Sequence, residues 1–493
     1  MIRPRLSGPA LAGALLLVPL AAARAQTLQE ALAAAYHNNA TLLAARAQLR
    51  AVDEGVPQAL AGWRPTVVVN GSIGWAGQDN RTRQQQVFAD GTTRFVPPVG
   101  TVFDPNTGLP LPGVQPIPQP LYTERSPRSA NIQLTQPIFR GGRTVASVRQ
   151  AENRVLAQRA RLYQTEQQVM QDVTNAYVQV IRFQEEVRLN VNNEQVLTRQ
   201  LQATNERFRV GEITRTDVAQ AESRLAGARA ARAQAEGQLQ IARANFQRLV
   251  GEPPQRLTAP QPLRVALRSQ QEARDQAAMN NPAVVAALFD EAAARDAIAV
   301  QMAALLPQVT LTAQGFRSDN AMSPGTSIQG GQVTASLAVP LFQGGAEHSL
   351  VRQARQAAQQ ARALVEDARR QAVQQAASAW ETLHSTRAQV TAVRAQIRAA
   401  EIALDGVQRE AIVGSRTTLD VLNAEQELLN ARVALVRALA DNITASYAIN
   451  ASIGRLTAQD LGLPVELYDM RAYYNAVRDR WLGFGDYSSE GRR

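Results

Sequence analysis

Catalysis needs nucleophiles, acids, bases or metal ligands brought together, and this chain is poor in them. Of its 493 residues none is cysteine and only three are histidine: His37, His348 and His384. These share no HxxxH or HxH spacing, so no metal-binding pair is offered. Without thiolates there is no disulfide framework, no sulfur-ligated metal and no lipoprotein acylation site. No Ser/His/Asp arrangement stands out, and the carboxylates lie beside arginines on helix faces. No enzymatic activity, cofactor or metal is expected. What remains are two stretches where charge meets turn chemistry, "RVGEITRTDV" (209–218) and "IVGSRTTLDVLNAEQ" (412–426). Gly211 and Gly414 suit the left-handed C-cap of a helix that reverses. Thr216 or Asp217 suits the N-cap of the first returning helix, and Thr417 or Thr418 that of the second.

The two turns belong to a sequence built twice. "QPIFRGG" (136–142) recurs as "VPLFQGG" (339–345), 203 residues on. At the same offset Gly211 meets Gly414, "TDVAQAESRL" (216–225) meets "LDVLNAEQEL" (419–428), and Gly251 meets Gly454. Near the front of each unit the offset is 242: "HNNA" (37–40) meets "MNNP" (279–282), and Pro65 meets Pro307. The extra 39 residues fall between Pro65 and Pro137, around "PPVGTVFDPNTGLPLPGVQPIPQP", which reads as part of a long loop, 76–128. The expected organisation is a first repeat over 26–260, a second over 261–455, and a tail over 456–493.

Each repeat carries two periodicities. An Ala-rich amphipathic helix is expected at about 37–62 and 280–304. Residues 143–210 and 346–405 contain neither Gly nor Pro, and a helix of that length spans about 100 Å. Apolar ladders seven residues apart run along both, as Val148, Val155, Leu162, Val169, Ala176 and Phe183, and as Leu383, Val390, Ile397, Leu404 and Ala411. That spacing is a coiled-coil seam. Four short stretches alternate instead at period two. Val67, Val69, Ile73 and Trp75 oppose Thr66, Asn70 and Ser72; Ala130, Ile132 and Leu134 oppose Asn131, Gln133 and Thr135. Val309 and Leu311 oppose Thr310 and Thr312; Val333, Ala335 and Leu337 oppose Thr334 and Ser336. Apolar outside and polar inside is the pattern of a membrane barrel with a wet lumen.

Residues 1–25 read as a secretory signal: Arg3 and Arg5, the apolar "LAGALLLVPLAAA", then small residues before Gln26. The formal net charge of +10 comes entirely from arginine. The arginines scatter along helix faces without interleaved aromatics, so no nucleic-acid partner is expected. Sheet edges are not tolerated in lipid, and four strands are too few to close a barrel, so several copies must share one. Two copies give eight strands, filled by side chains; three give twelve, wide enough for an opening.

With the doubled unit, "LQEALAAAYHNNATLLAARAQL" (28–49), the two F-x-GG junctions and the two turns, the sequence resembles the TolC-like outer-membrane efflux and secretion channels. The tail "LPVELYDMRAYYNAVRDRW" (463–481) is similar to that of members serving type I secretion. The resemblance implies a mainly α fold with membrane β-structure: a homotrimer with a long coiled-coil α-barrel, each chain giving four strands to a twelve-stranded outer-membrane barrel. It implies a periplasmic adaptor, an inner-membrane transporter and outer-membrane lipid as partners. It also implies a passive exit duct and periplasmic tunnel. At the periplasmic tip it implies a latch, Arg416 to Asp217 with help from Thr216, and an inward ring of Asp420. A second acidic ring position falls at Asn423 and an assisting Tyr position at Ala411, so the constriction carries less charge and the latch is looser. The tip turns, Val210 and Gly211 with Val413, Gly414 and Ser415, are the expected adaptor contacts. In the junctions, Pro137 and Pro340 should end strands, Phe139 and Phe342 sit at the lipid interface or barrel rim, and Gly141, Gly142, Gly344 and Gly345 bend strand into helix. The competing reading is an exported coiled-coil spacer without a pore, which leaves the alternating segments unexplained.

Overall fold

The computed structural model describes residues 26–80, 84–87, 91–96, 106–107, 121–322 and 324–484; the expected signal at 1–25 lies outside them. In chain order the elements are α1 (Leu28–Asn38), α2 (Ala40–Asp53), α3 (Gly55–Leu60), β1 (Thr66–Ile73), β2 (Ala76–Asn80), β3 (Gln84–Val87), β4 (Thr93–Val96), β5 (Leu121–Arg125), β6 (Arg128–Arg140), α4 (Arg143–Arg209) and α5 (Arg215–Val250). The second repeat gives α6 (Gln270–Asn280), α7 (Pro282–Met302), β7 (Gln308–Asp319), β8 (Ser327–Ala338), α8 (Ala346–Ile412) and α9 (Thr418–Ser452), and the tail gives α10 (Ala472–Val477). Two compact units emerge: Val56–Gln150 with Arg295–Gln356, which holds the strands, and the remainder, which is helical. Among the described residues no helix is long and apolar enough to cross a membrane.

The main sheet of the strand unit is antiparallel, in the order β1-β6-β7-β8. Residues directly opposite in antiparallel strands share a face, so the register sorts the sheet in two. Val67, Leu134, Ala313 and Val333 form one row across all four strands, and Val309 pairs with Leu337 on the same side. On the other face Thr66, Thr135, Thr312 and Thr334 form a row of threonines, and Gln133, Gln314 and Gln332 form a row of glutamines. Gln332 donates to Gln314 at 3.3 Å, and the Ser72 and Ser129 hydroxyls meet at 2.7 Å. Both edge strands, β1 and β8, are exposed along their whole length.

Two sequence expectations are corrected here. Segment 76–128 is not simply a loop. Strand β2 pairs with β5, with Ala76 opposite Arg125, so they carry the β1–β6 hairpin onward beyond a bend at Gly74 and Pro127; β3 pairs with β4 as a separate hairpin. Short polar strands such as "QDN" and "QQQ" carry no apolar alternation, which is why pattern reading passes over them. The Arg125 guanidinium pins this extension by donating to the carbonyls of Ala321 and Met322 in the β7–β8 turn. Nor does Pro137 end a strand. It lies inside β6, which runs on to Arg140 with a bulge between Pro137 and Phe139. Pairing with β1 stops at Thr135, so the missing N–H of the proline is tolerated there. Pro340 does lie beyond its strand, which stops at Ala338.

In the helical unit the first heptad ladder is buried: Val155, Leu162, Val169 and Ala176 are each 4% exposed or less. Leu383 and Val390 of the second are buried too, while Ile397 and Leu404 are half-buried. Each repeat has its own core, around Leu32, Leu42, Met170, Tyr177 and Phe246 in one and Val284, Ala376, Leu383 and Ile449 in the other. The amphipathic helix expected at 280–304 is present as α7, and that expected at 37–62 is divided at Glu54 into α2 and α3; in each repeat an asparagine of the "NN" separates it from the helix before, α6 or α1. Asn39 Oδ1 accepts from the N–H of Thr41 and Leu42, capping α2, while its Nδ2 donates to the Leu249 carbonyl at the end of α5 at 2.9 Å. Asn281 does the same in the second repeat, accepting from Ala283 N–H and donating to the Ser452 carbonyl at 3.0 Å. One side chain thus starts a short helix and closes the end of a long one. Asn39→Ala removes a cap and a buried bond together and is expected to destabilise the fold by about 2 kcal/mol. A lowered heat-denaturation midpoint, with the exposed neighbour Asn38→Ala as a near-silent control, checks this.

Candidate functional site

The two helix reversals are built from the same parts. At the end of α4 Gly211 has φ +79°, and at the end of α8 Gly414 has φ +81°. Gly211 N–H bonds the Phe208 carbonyl at 3.0 Å and Glu212 N–H bonds the Arg207 carbonyl at 3.0 Å; Gly414 to Ala411 and Ser415 to Glu410 repeat this at 3.2 and 3.0 Å. This is the Schellman pair of bonds that satisfies the last carbonyls of a helix. Three residues after each glycine the next helix is capped. The Thr214 hydroxyl donates to Asp217 at 2.8 Å and accepts from its N–H, and the Thr214 N–H donates to the same carboxylate at 2.9 Å. Thr417 and Asp420 reproduce it at 2.8 and 3.0 Å.

Of the expected caps, Thr417 is borne out, while the first falls two residues before the earlier of its candidates, Thr216 and Asp217. Thr216 and Thr418 are not the N-caps; Thr214 and Thr417 are. The signal was the spacing V-G-x-x-T-x-x-D, present in both turns, which fuses a C-cap glycine to a capping box. Both aspartates are held below the usual carboxylate range, Asp217 chiefly by the Thr214 hydroxyl and Asp420 chiefly by the Thr417 N–H. Groups with lowered values stabilise above the ordinary carboxylate pKa and lose that contribution as pH falls. The caps are therefore complete at neutral pH.

The structure does not bring Arg416 to Asp217. The Arg416 guanidinium donates instead to Glu410 Oε2 at 2.8 Å, within its own turn. In the first turn Arg207 pairs with Glu212 at 2.6 Å. Arg207 and Glu410 occupy the same place in the repeat, so the second turn carries the ion pair of the first with its signs exchanged. Val210, Ile412 and Val413 stand exposed beside the glycines.

About two to three turns beyond the reversals, the hairpins of the two repeats meet. Arg224 on α5 donates to Asn423 Oδ1 on α9 at 2.8 Å, and Leu422 packs on Leu197, Leu225 and Ala228. Higher still Glu186 on α4, whose side chain is 8% exposed, accepts from Arg182 and from Arg437 on α9 at 3.2 and 3.1 Å. It borders a groove of about 1100 Å³ between the hairpins that is lined mostly by Asn, Gln and Arg with small residues. Sequence reading missed Arg224, Glu410 and Leu422, because their partners lie on other elements or across a turn. At the strand–helix junctions Gly141, Gly142, Gly344 and Gly345 all have positive φ. A Cβ on Gly141 would stand 2.6 Å from the Ala303 carbonyl, so only glycine fits there. Phe139 and Phe342 are exposed, at 45% and 85%.

Among the described residues no cluster of His, Asp or Glu could hold a metal ion. The geometry holds helix ends and charges in place and assembles no reacting group. Thr214→Ala should fray the first turn of α5 by about 1 kcal/mol, read as faster amide exchange at Asp217 and Val218, whereas Thr216→Ala should leave it unchanged.

A family model described as outer membrane efflux protein matches residues 27–252 and 273–455. The outer membrane efflux protein BepC of Brucella suis is 36% identical over 469 residues, 94% of this chain and 92% of that protein. The outer membrane protein TolC of Escherichia coli is 27% identical over 357 residues, 68% of this chain and 70% of its own length. Among solved structures, CusC overlays with a TM-score of 0.71 over 86% of this chain and 91% of that one at 16% identity, a likeness of fold alone.

Proposed function

The chain belongs to the outer membrane efflux protein family, and from that premise we propose that it is a passive, non-enzymatic exit duct for export by a tripartite efflux or type I secretion system. Three copies share one twelve-stranded barrel in the outer membrane, and their long helices form the periplasmic tunnel. The observation that carries this reading is the four-stranded sheet: one face apolar, the other a ladder of Thr and Gln, and both edges unpaired. In lipid such edges must find partners, and identical copies of β1 and β8 supply them. An inner-membrane transporter selects the cargo and a periplasmic adaptor joins it to the duct.

The gate lies at the two turns. Arg416 is its movable cation: Glu410 holds it within the turn, and Asp217, assisted by Thr216, is the partner that closes the tunnel. Asp420 supplies the acidic ring, and Asn423 replaces a further carboxylate with a neutral acceptor for Arg224. Exposed ion pairs contribute only about 0–1 kcal/mol each, so three-fold repetition is what makes such a gate effective. Removing the cation with Arg416→Ser should raise single-channel conductance in planar bilayers. Glu410→Gln, which frees Arg416 for Asp217, should lower it. A conductance indifferent to both changes removes the gate from these residues.

The adaptor docks on Val210, Gly211, Val413, Gly414 and Ser415. Val413 is 77% exposed and takes no part in the turn's side-chain bonds. Val413→Asp should therefore abolish export in cells while bilayer conductance stays as in the parent protein. A loss of both would place Val413 in the pore or the fold instead.

A further inference from the structure

Asp53, the last residue of α2, is 1% exposed, and neither of its carboxylate oxygens has a hydrogen-bond partner. A bare buried carboxylate is strongly disfavoured. Its cover is the C-terminal segment, where α10 packs against α2. The Tyr473 hydroxyl donates to Glu54 Oε1 at 2.8 Å, the Arg159 guanidinium of α4 faces the Tyr474 ring at 5.3 Å, and Arg478 reaches Glu152 of α4 at 3.4 Å. Val477 is 2% exposed beneath the helix. The charged and titratable groups around Asp53 are thus Arg50 and Glu54 from its own helix, Glu152 and Arg159 from α4, and Tyr473, Tyr474 and Arg478 from the tail. Arg159 is near enough to matter electrostatically, yet its Nε has no hydrogen-bond partner either, so it does not bond the carboxylate.

We propose that α10 is a strap whose docking is governed by one proton on Asp53: it clasps α2 and α4 while that carboxyl is neutral and loosens when the carboxyl ionises. Burial is the dominant influence, opposed by Arg159 and reinforced by Glu54, and it pushes Asp53 up to about 7. Tyr473, pushed up to about 12 by burial and then by Glu54, keeps its proton and stays a donor throughout. The sign follows. The docked form holds the proton more readily than a solvent-exposed carboxyl, whose ordinary value is 3.8. Docking is therefore strongest in acid, weakens by at most about tenfold per pH unit as pH rises toward 7, and levels off above it. This inference is independent of the duct reading, because its readout is the strap itself.

The test is amide exchange, corrected for intrinsic rates, on residues 470–479 of the full-length protein in detergent between pH 5 and 8.5. Protection should fall about tenfold or more between pH 5 and 7 and then flatten. Asp53→Asn should hold the strap protected at every pH. Glu54→Gln, which keeps an acceptor for Tyr473 but removes the neighbouring negative charge, should move the flattening to lower pH. Flat wild-type protection, or an Asp53→Asn profile that tracks the wild type, overturns the proposal. Should Asp53→Asn fail to assemble, an unmoved Glu54→Gln profile overturns it equally.

Discussion

A strand edge in hydrocarbon has nowhere to put its N–H and C=O groups, and most of this chain's design follows from that constraint. Four strands are too few to close on themselves, yet β1 and β8 are exposed along their whole length. The sheet has been left unfinished so that copies can complete it. The apolar row from Val67 to Val333 then faces lipid, and the threonine and glutamine rows face water. A ladder of hydroxyls and amides suits a lumen, because each group finds either a neighbour or solvent.

Duplication answers the same constraint by halving the number of devices the chain needs. The asparagine that caps a short helix and ties off a long one, the paired glycines at the strand ends, and the Schellman turn fused to a capping box each occur twice. The copies diverge where function allows. One hairpin has grown an extension pinned by Arg125, and the tip ion pair has exchanged its signs. Two turns of identical backbone thus present opposite charge patterns.

Much of this was legible in the sequence, for identifiable reasons. The long helices declare themselves because 143–210 lacks any breaker, and the four sheet strands because their side chains alternate with only Val68 out of step. Strands β2 to β5 were illegible because they are only four or five residues long and carry no sustained apolar alternation. The asparagine breaks at 39 and 281 were visible as a repeated "NN" but not interpretable, since each side chain's second partner lies some 210 or 171 residues away. At the turns the glycines were correctly placed and Thr417 was among the candidate caps, while the first cap was displaced from Thr214 to Thr216 or Asp217 because threonine is frequent there and only the interval to the aspartate discriminates. The expected contact of Arg416 with Asp217 came from resemblance, and here Arg416 is held by a carboxylate nearer in sequence, Glu410.

Each tip turn satisfies its hydrogen bonds from within about ten residues of sequence, and none of those bonds uses the side chains of Val210 or Val413. The knuckle is therefore rigid whatever decorates it. A lineage could exchange these exposed residues without disturbing the helices that the turn joins. Change at this surface is thereby uncoupled from the stability of the fold, so the turns are free to be repainted while the scaffold is kept.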